Sequence, residues 1–241
     1  MTQRDPLDDL NPSQREAVTH TEGPLLILAG AGSGKTRVIT YRIAQLIRAK
    51  RVAPFEIFAV TFTNKAAEEM KRRVIDLIGP IGENVFVRTF HSAAVFILRR
   101  YGDRIGVPRA FTIYDAKDQE TLIKDILLEM RLDPKKLKPS AIASKISEIK
   151  DRAEMIDGAD LSHLMPKYPG LSFPDLYREY QERLSRSGAL DFNDLLIKTV
   201  VLVRRSPEAL AELQRRWRYF MIDEYQDTNH TQYLICKYLS S

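Results

Sequence analysis

Pro24-Leu25-Leu26-Ile27-Leu28-Ala29-Gly30-Ala31-Gly32-Ser33-Gly34-Lys35-Thr36 is the stretch that decides the fold class of this chain. Its apolar first half reads as a buried strand, which breaks into a glycine-rich loop and then opens a helix. In such a loop successive backbone N–H groups form a concave anion site, and the helix N-terminus behind it adds positive dipole. Lys35 is placed to reach the terminal phosphates of a nucleoside triphosphate, and the Thr36 hydroxyl to ligate Mg²⁺. Ala29 stands where the strict phosphate-loop pattern has glycine. Alanine is small enough to start the turn, and Gly30, Gly32 and Gly34 keep the loop permissive to positive φ. The loop Ala29–Thr36, with Ala31 and Ser33 between its glycines, is therefore expected to bind a nucleoside triphosphate.

Tyr219-Phe220-Met221-Ile222-Asp223-Glu224 is the natural partner of that loop. It reads as a second buried strand ending in two acids, and a carboxylate at the C-terminal end of such a strand lies at the sheet edge where ligands bind. Asp223 can hold Mg²⁺ there as a Walker-B aspartate does. Glu224 is placed to orient or deprotonate an attacking water. An ATP-hydrolysing site in which Lys35, Asp223 and Glu224 carry the chemistry is the expectation.

Composition bounds the rest. The chain has 241 residues, 44% hydrophobic and 29% charged, which suits a globular protein of one large or two ordinary domains. A net charge of +5 fits an anionic partner without identifying one. The apolar stretches are too short to span a bilayer and Met1-Thr2-Gln3-Arg4-Asp5 lacks signal-peptide character, so no membrane partner is expected. Cys236 is the single cysteine, which excludes an internal disulfide and fits a reducing cytoplasm. His20, His91, His163 and His230 lie too far apart for metal-ligand spacing, so a metal would arrive with the nucleotide.

Working outward from the loop, strands and helices alternate. A helix is expected from Asn11 to about His20, with Asn11 at its cap and Pro12 in its first turn. Another runs from Lys35 to about Ala49, with Ile39, Ile43, Leu46 and Ile47 on one face. Strands at 55–62 and 84–90 are each followed by a helix. This order predicts an open parallel α/β sheet of the P-loop type flanked by helices, formed by about 1–110 and 190–241. From 111 to 189 no buried strand stands out, and helices at 116–130, 140–152 and 174–187 predict an all-helical inserted subdomain.

Asp223-Glu224-Tyr225-Gln226-Asp227-Thr228-Asn229 closely resembles a motif of superfamily 1 DNA helicases of the UvrD/Rep/PcrA type. Leu10-Asn11-Pro12-Ser13-Gln14 is similar to their adenine-reading segment, and Ala29–Thr36 to their phosphate loop, which tolerates alanine at its first position. Thr61-Phe62-Thr63-Asn64-Lys65-Ala66-Ala67 and Thr89-Phe90-His91-Ser92 resemble their segments on single-stranded DNA. Asp191-Phe192-Asn193-Asp194-Leu195-Leu196 resembles a further helix start. These segments agree in order and spacing over nearly the whole chain, least well across 111–189.

The resemblance implies a RecA-like ATP-binding domain and roles for further residues. Gln14 would read adenine and so select ATP, and Arg37 would assist the nucleotide. Phe62 would stack on a nucleobase, the sequence-tolerant contact of single-strand binders. Thr61, Thr63, Asn64, Thr89 and His91 would contact phosphates or sugars, fixing register without reading sequence. The parent activity would be ATP-driven translocation on single-stranded DNA and unwinding of duplex DNA in repair or replication. A second RecA-like domain of the same parent would supply arginines, worth on the order of a thousandfold in phosphoryl transfer. This chain, ending before that domain, is expected to bind ATP and single strands but to hydrolyse very slowly. Three other readings stay open: a non-catalytic ATP and single-strand binding module, a subunit of a helicase–nuclease complex, and a P-loop kinase with a helical lid.

Overall fold

The computed structural model describes residues 6–30, 32–152 and 164–241. Met1–Asp5, Ala31 and His163 lie outside the described residues. In chain order the elements are α1 (Pro12–Thr19), α2 (Lys35–Arg48), β1 (Ile57–Thr61), α3 (Asn64–Ile78), β2 (Phe86–Thr89), α4 (Phe90–Tyr101), β3 (Thr112–Tyr114), α5 (Ala116–Glu129), α6 (Pro139–Asp151), α7 (Phe173–Arg186), β4 (Ala189–Asp191), α8 (Phe192–Arg205), α9 (Pro207–Arg216), β5 (Tyr219–Ile222) and α10 (His230–Leu239). They gather into two compact units. One is Met1–Phe90, Glu212–Asp227 and Ser240–Ser241; the other is His91–Ala211 and Thr228–Leu239.

The first unit is built on a parallel sheet of order β2-β1-β5. β1 is buried along its whole length, the pattern of a central parallel strand covered on both faces. Ile57 and Ala59 pack with Ile43 and Leu46 of α2 and Met70 and Val74 of α3. On the opposite face the Phe58 ring lies 4.7 Å from Trp217 and 5.4 Å from both Phe86 and Phe220. The helices start where local chemistry dictates. Asn11 closes a capping box with Gln14 on α1, and the Thr63 hydroxyl accepts the Ala66 N–H at the start of α3.

One expected strand is absent. Residues 24–28 form no element, and Leu26 and Leu28 are 65% and 87% exposed. The cause is the missing ladder. An apolar run becomes a strand only when a neighbour satisfies its backbone groups, and among the described residues the sheet ends at β5, whose outer edge 24–28 does not join.

The second unit packs α5, α6 and α7 around Ile123, Ile126, Ile142, Ile146, Phe173, Leu176 and Tyr180. Here the expectation of an all-helical stretch across 111–189 needs correction. β3 and β4 pair in parallel, with Thr112 opposite Ala189 and Tyr114 opposite Asp191. Strands of three residues are too short to show an alternating pattern, which is why the periodicity hides them. Inside this unit Lys150 is fully buried, its Nζ 2.6 Å from Asp191 Oδ2 and 2.7 Å from Asp194 Oδ1. The Tyr180 hydroxyl donates to the same Asp191 oxygen at 3.0 Å. Burial holds the Asp194 carboxyl above its ordinary pKa, against the pull of Lys150.

Candidate nucleotide site

Every element of this site belongs to the first unit. The loop ends at Gly34, the N-cap of α2, with φ 88°, and Gly32 has φ 75°. Both are left-handed, which glycine adopts without a Cβ penalty. The Ser33 N–H and hydroxyl donate to the Gly30 carbonyl at 3.3 and 2.7 Å, tightening the turn. Lys35 Nζ donates to the Ala29 carbonyl at 3.2 Å. Ala31 lies outside the described residues.

β5 delivers the acids. The Asp223 N–H donates to the Val60 carbonyl at 3.0 Å, prolonging the ladder by one residue, and Asp223 is buried. The Thr36 hydroxyl donates toward Asp223, 3.3 Å from Oδ2 and 3.5 Å from Oδ1. Adjacent ligands of an octahedral Mg²⁺ stand about 3 Å apart, so this hydroxyl and carboxylate suit a hard cation. Burial pushes the Asp223 pKa above the usual carboxylate value and Glu224 adds to it, against the Thr36 hydrogen bond and Lys35.

Glu224 is one of the few non-glycine residues with positive φ, 48°. Such a conformation costs about 1–2 kcal/mol and here turns the chain sharply off the end of β5. Its Oε2 lies 3.8 Å from Lys35 Nζ and accepts a 2.6 Å hydrogen bond from Gln226 Nε2. Gln226 is a residue that sequence reasoning passed over; it stood within the quoted motif but had no assigned task. The loop lysine, the loop threonine and both acids are thus brought together from opposite ends of the sequence.

Gln14 also reaches the loop, its Nε2 donating to the Ser33 carbonyl at 2.9 Å. Arg37 is engaged elsewhere. It donates to the Asp9 carbonyl at 2.9 Å and lies over the Tyr41 ring at 5.2 Å, which fixes the segment before α1 against α2.

The residues expected to meet single strands divide between the two units. In the first, Thr61 and Thr89 face each other across β1 and β2 and are both buried. Phe62 follows directly, half-buried, with its ring 5.6 Å from Phe90. Thr63 and Asn64 are exposed at the start of α3. His91 belongs to the second unit, where its ring meets the exposed Phe192 edge-on at 5.8 Å. Burial lowers the His91 pKa, opposed by Asp151.

Among the described residues no group of three His, Cys, Asp or Glu could hold a metal, and no helix is long and apolar enough to cross a membrane. Residues 10–241 match the family described as UvrD/REP helicase N-terminal domain. The chain is 49% identical over 234 residues to the ATP-dependent DNA helicase PcrA of Bacillus subtilis, covering 97% of this chain and 31% of that protein. It is 48% identical over 235 residues to the protein of the same name from Staphylococcus aureus, covering 98% and 32%. The chain thus spans about a third of the length of these relatives.

Proposed function

Because this chain belongs to the UvrD/REP helicase N-terminal domain family, we propose that it is the ATP-binding part of an ATP-dependent DNA helicase that moves on single strands and unwinds duplex DNA in repair or replication. The observation that carries this reading is the meeting of Thr36, Asp223, Lys35 and Glu224 at one sheet edge. Residues 1–110 and 190–241 form the RecA-like domain in this reading, and 111–189 the insert; the two compact units of the structure divide the chain at other points.

Each residue has a task. Gly32 and Gly34 turn N–H groups to the phosphates, and Lys35 leaves the Ala29 carbonyl and Glu224 to neutralise their charge. Thr36 and Asp223 would hold Mg²⁺, which when bound would supply positive charge to offset that of the phosphates. Glu224, released by Lys35 and steered by Gln226, takes the proton of the attacking water. Gln14 reads adenine. Phe62 stacks on a base, and Thr63, Asn64 and His91 meet the DNA backbone, while the buried Thr61 and Thr89 contribute through their main chain. The transition-state arginines come from a second RecA-like domain outside these residues, so this chain alone binds ATP and single strands and turns over very slowly.

The test uses the longer parent and this chain side by side. Lys35→Ala weakens ATP binding in both, and Glu224→Gln keeps binding but abolishes DNA-stimulated turnover in the parent. Unchanged affinity in Lys35→Ala means the site is elsewhere; equal loss of binding and turnover in Glu224→Gln removes its role as base.

A further inference from the structure

We propose that Asn193 is a positioning residue that ties the single-strand contact of His91 to α6; this rests on the DNA reading of His91 proposed above. Asp191-Phe192-Asn193-Asp194 opens α8, and the nucleotide site gives this turn no task. The turn is held residue by residue. Asp191 and Asp194 close its capping box, and both bind the buried Lys150 ammonium. Asn193 pins the outer side of the same turn: its Oδ1 accepts the Ser147 hydroxyl at 2.9 Å, and its Nδ2 donates to Asp151 Oδ1 at 2.8 Å. Ser147, Lys150 and Asp151 stand three and four positions apart on α6, so a single face of that helix grips the start of α8.

Phe192 is the member of the turn left exposed, and its ring meets His91 edge-on at 5.8 Å. Asp151 approaches the same imidazole from α6, close enough for its charge to act on it. Asn193 therefore holds both the backbone that carries Phe192 and the carboxylate whose field reaches His91. Its own amide is half-buried with both polar atoms committed to α6, so its effect on a nucleic acid runs through these neighbours. A hydrogen bond to a phosphate oxygen weakens sharply when its donor is displaced by about 0.5 Å, which makes the shell around His91 part of the contact.

The experiment measures binding of a fluorescein-labelled oligothymidylate and of Mg²⁺-ATP to this chain, to Asn193→Ala, to Asn193→Asp, and to Asn193→Asp combined with Asp151→Asn. One positioned hydrogen bond is worth about three- to tenfold, and a loss of that size in DNA affinity is expected for Asn193→Ala, with ATP affinity kept within about twofold. Asn193→Asp sets two carboxylates against each other and is expected to lose at least as much. The double exchange reverses donor and acceptor at the net charge of wild type and is expected to restore DNA binding to within about twofold. The His91 imidazole resonances, which feel the Phe192 ring current, are expected to shift in Asn193→Ala and to return in the double exchange, while those of His20 stay in place. Unchanged DNA affinity in Asn193→Ala overturns the proposal. So does a weakened Asn193→Ala whose His91 resonances have not moved, an equal loss of ATP affinity, or a double exchange as weak as Asn193→Asp. If wild type does not bind the oligothymidylate, or His91→Ala binds it as tightly as wild type, the single-strand reading of His91 falls and the proposal with it, a result that those two arms identify by themselves.

Discussion

The Thr36 hydroxyl lies 3.3 Å from a carboxylate oxygen of Asp223, 187 positions later in the chain. One residue opens α2 and the other follows β5, so the pair exists only once the sheet has formed. If the two share a cation, Asp223→Asn and Thr36→Ala should each weaken ATP binding in the presence of Mg²⁺ by about tenfold or more, the size of a lost contact to a charged group. Neither should alter the weaker binding measured in EDTA. Calorimetry with and without Mg²⁺ checks this, and equal losses under both conditions would point to a role in holding the loop instead.

Leu26 and Leu28 stand exposed where a buried strand was expected. Replacing either with serine should change stability by no more than about 0.5 kcal/mol, as for an ordinary surface site. Phe58→Ala, at the centre of the aromatic layer, should cost about 3–5 kcal/mol. Amide exchange of residues 25–28 should be fast and that of 57–61 slow. Urea melts and exchange mass spectrometry test both parts.

Lys150 is the only cation within hydrogen-bond reach of Asp191 and Asp194 among the described contacts. Lys150→Met leaves two carboxylates buried without their ammonium, a loss of about 3–5 kcal/mol. Asp191→Asn should cost more than Asp194→Asn. Asp191 also accepts the Tyr180 hydroxyl and the Asp194 N–H that starts α8, whereas loss of the Asp194 charge relieves a surplus negative charge. Reversal of that order in a urea series would show that the network is not centred on Asp191.

His91 has its pKa lowered in the folded state, chiefly by burial. The unfolded chain therefore holds the proton more readily over the interval between the two pKa values. The contribution of neutral His91 is complete above the ordinary imidazole value, 6.5, and is lost as pH falls through it toward the lowered native one. The melting temperature should drop between about pH 7.5 and pH 5.5, one unit either side of the ordinary value, more steeply in wild type than in His91→Gln. Identical slopes would mean that His91 is solvated.

Much of this was legible in the chain. The parallel order of β1 and β2, the capped start of α1, the helices that follow β1 and β2, and the amphipathic face of α2 follow from local patterns that need no distant partner. Membership of the helicase family rests on the joint occurrence of its motifs. The departures have one kind of cause. Pro24–Leu28 has the composition of a strand, but a strand also requires a neighbour. β3 and β4, three residues each, are too short to show a pattern and form because Thr112 and Ala189 are brought side by side. Lys150 had no task in the sequence reading and acquires its carboxylate partners only through tertiary contact.

The sequence by itself determined what kind of chemistry the chain holds. Glycines, a lysine and a threonine before a helix, and two acids after an apolar run, constrain the local backbone and the available donors wherever they occur. Only the tertiary structure decided which of those groups meet. The Thr36–Asp223 pair, the Gln14 amide on Ser33 and the buried Lys150 depend on long-range packing, and sequence spacing carries no distance across a fold.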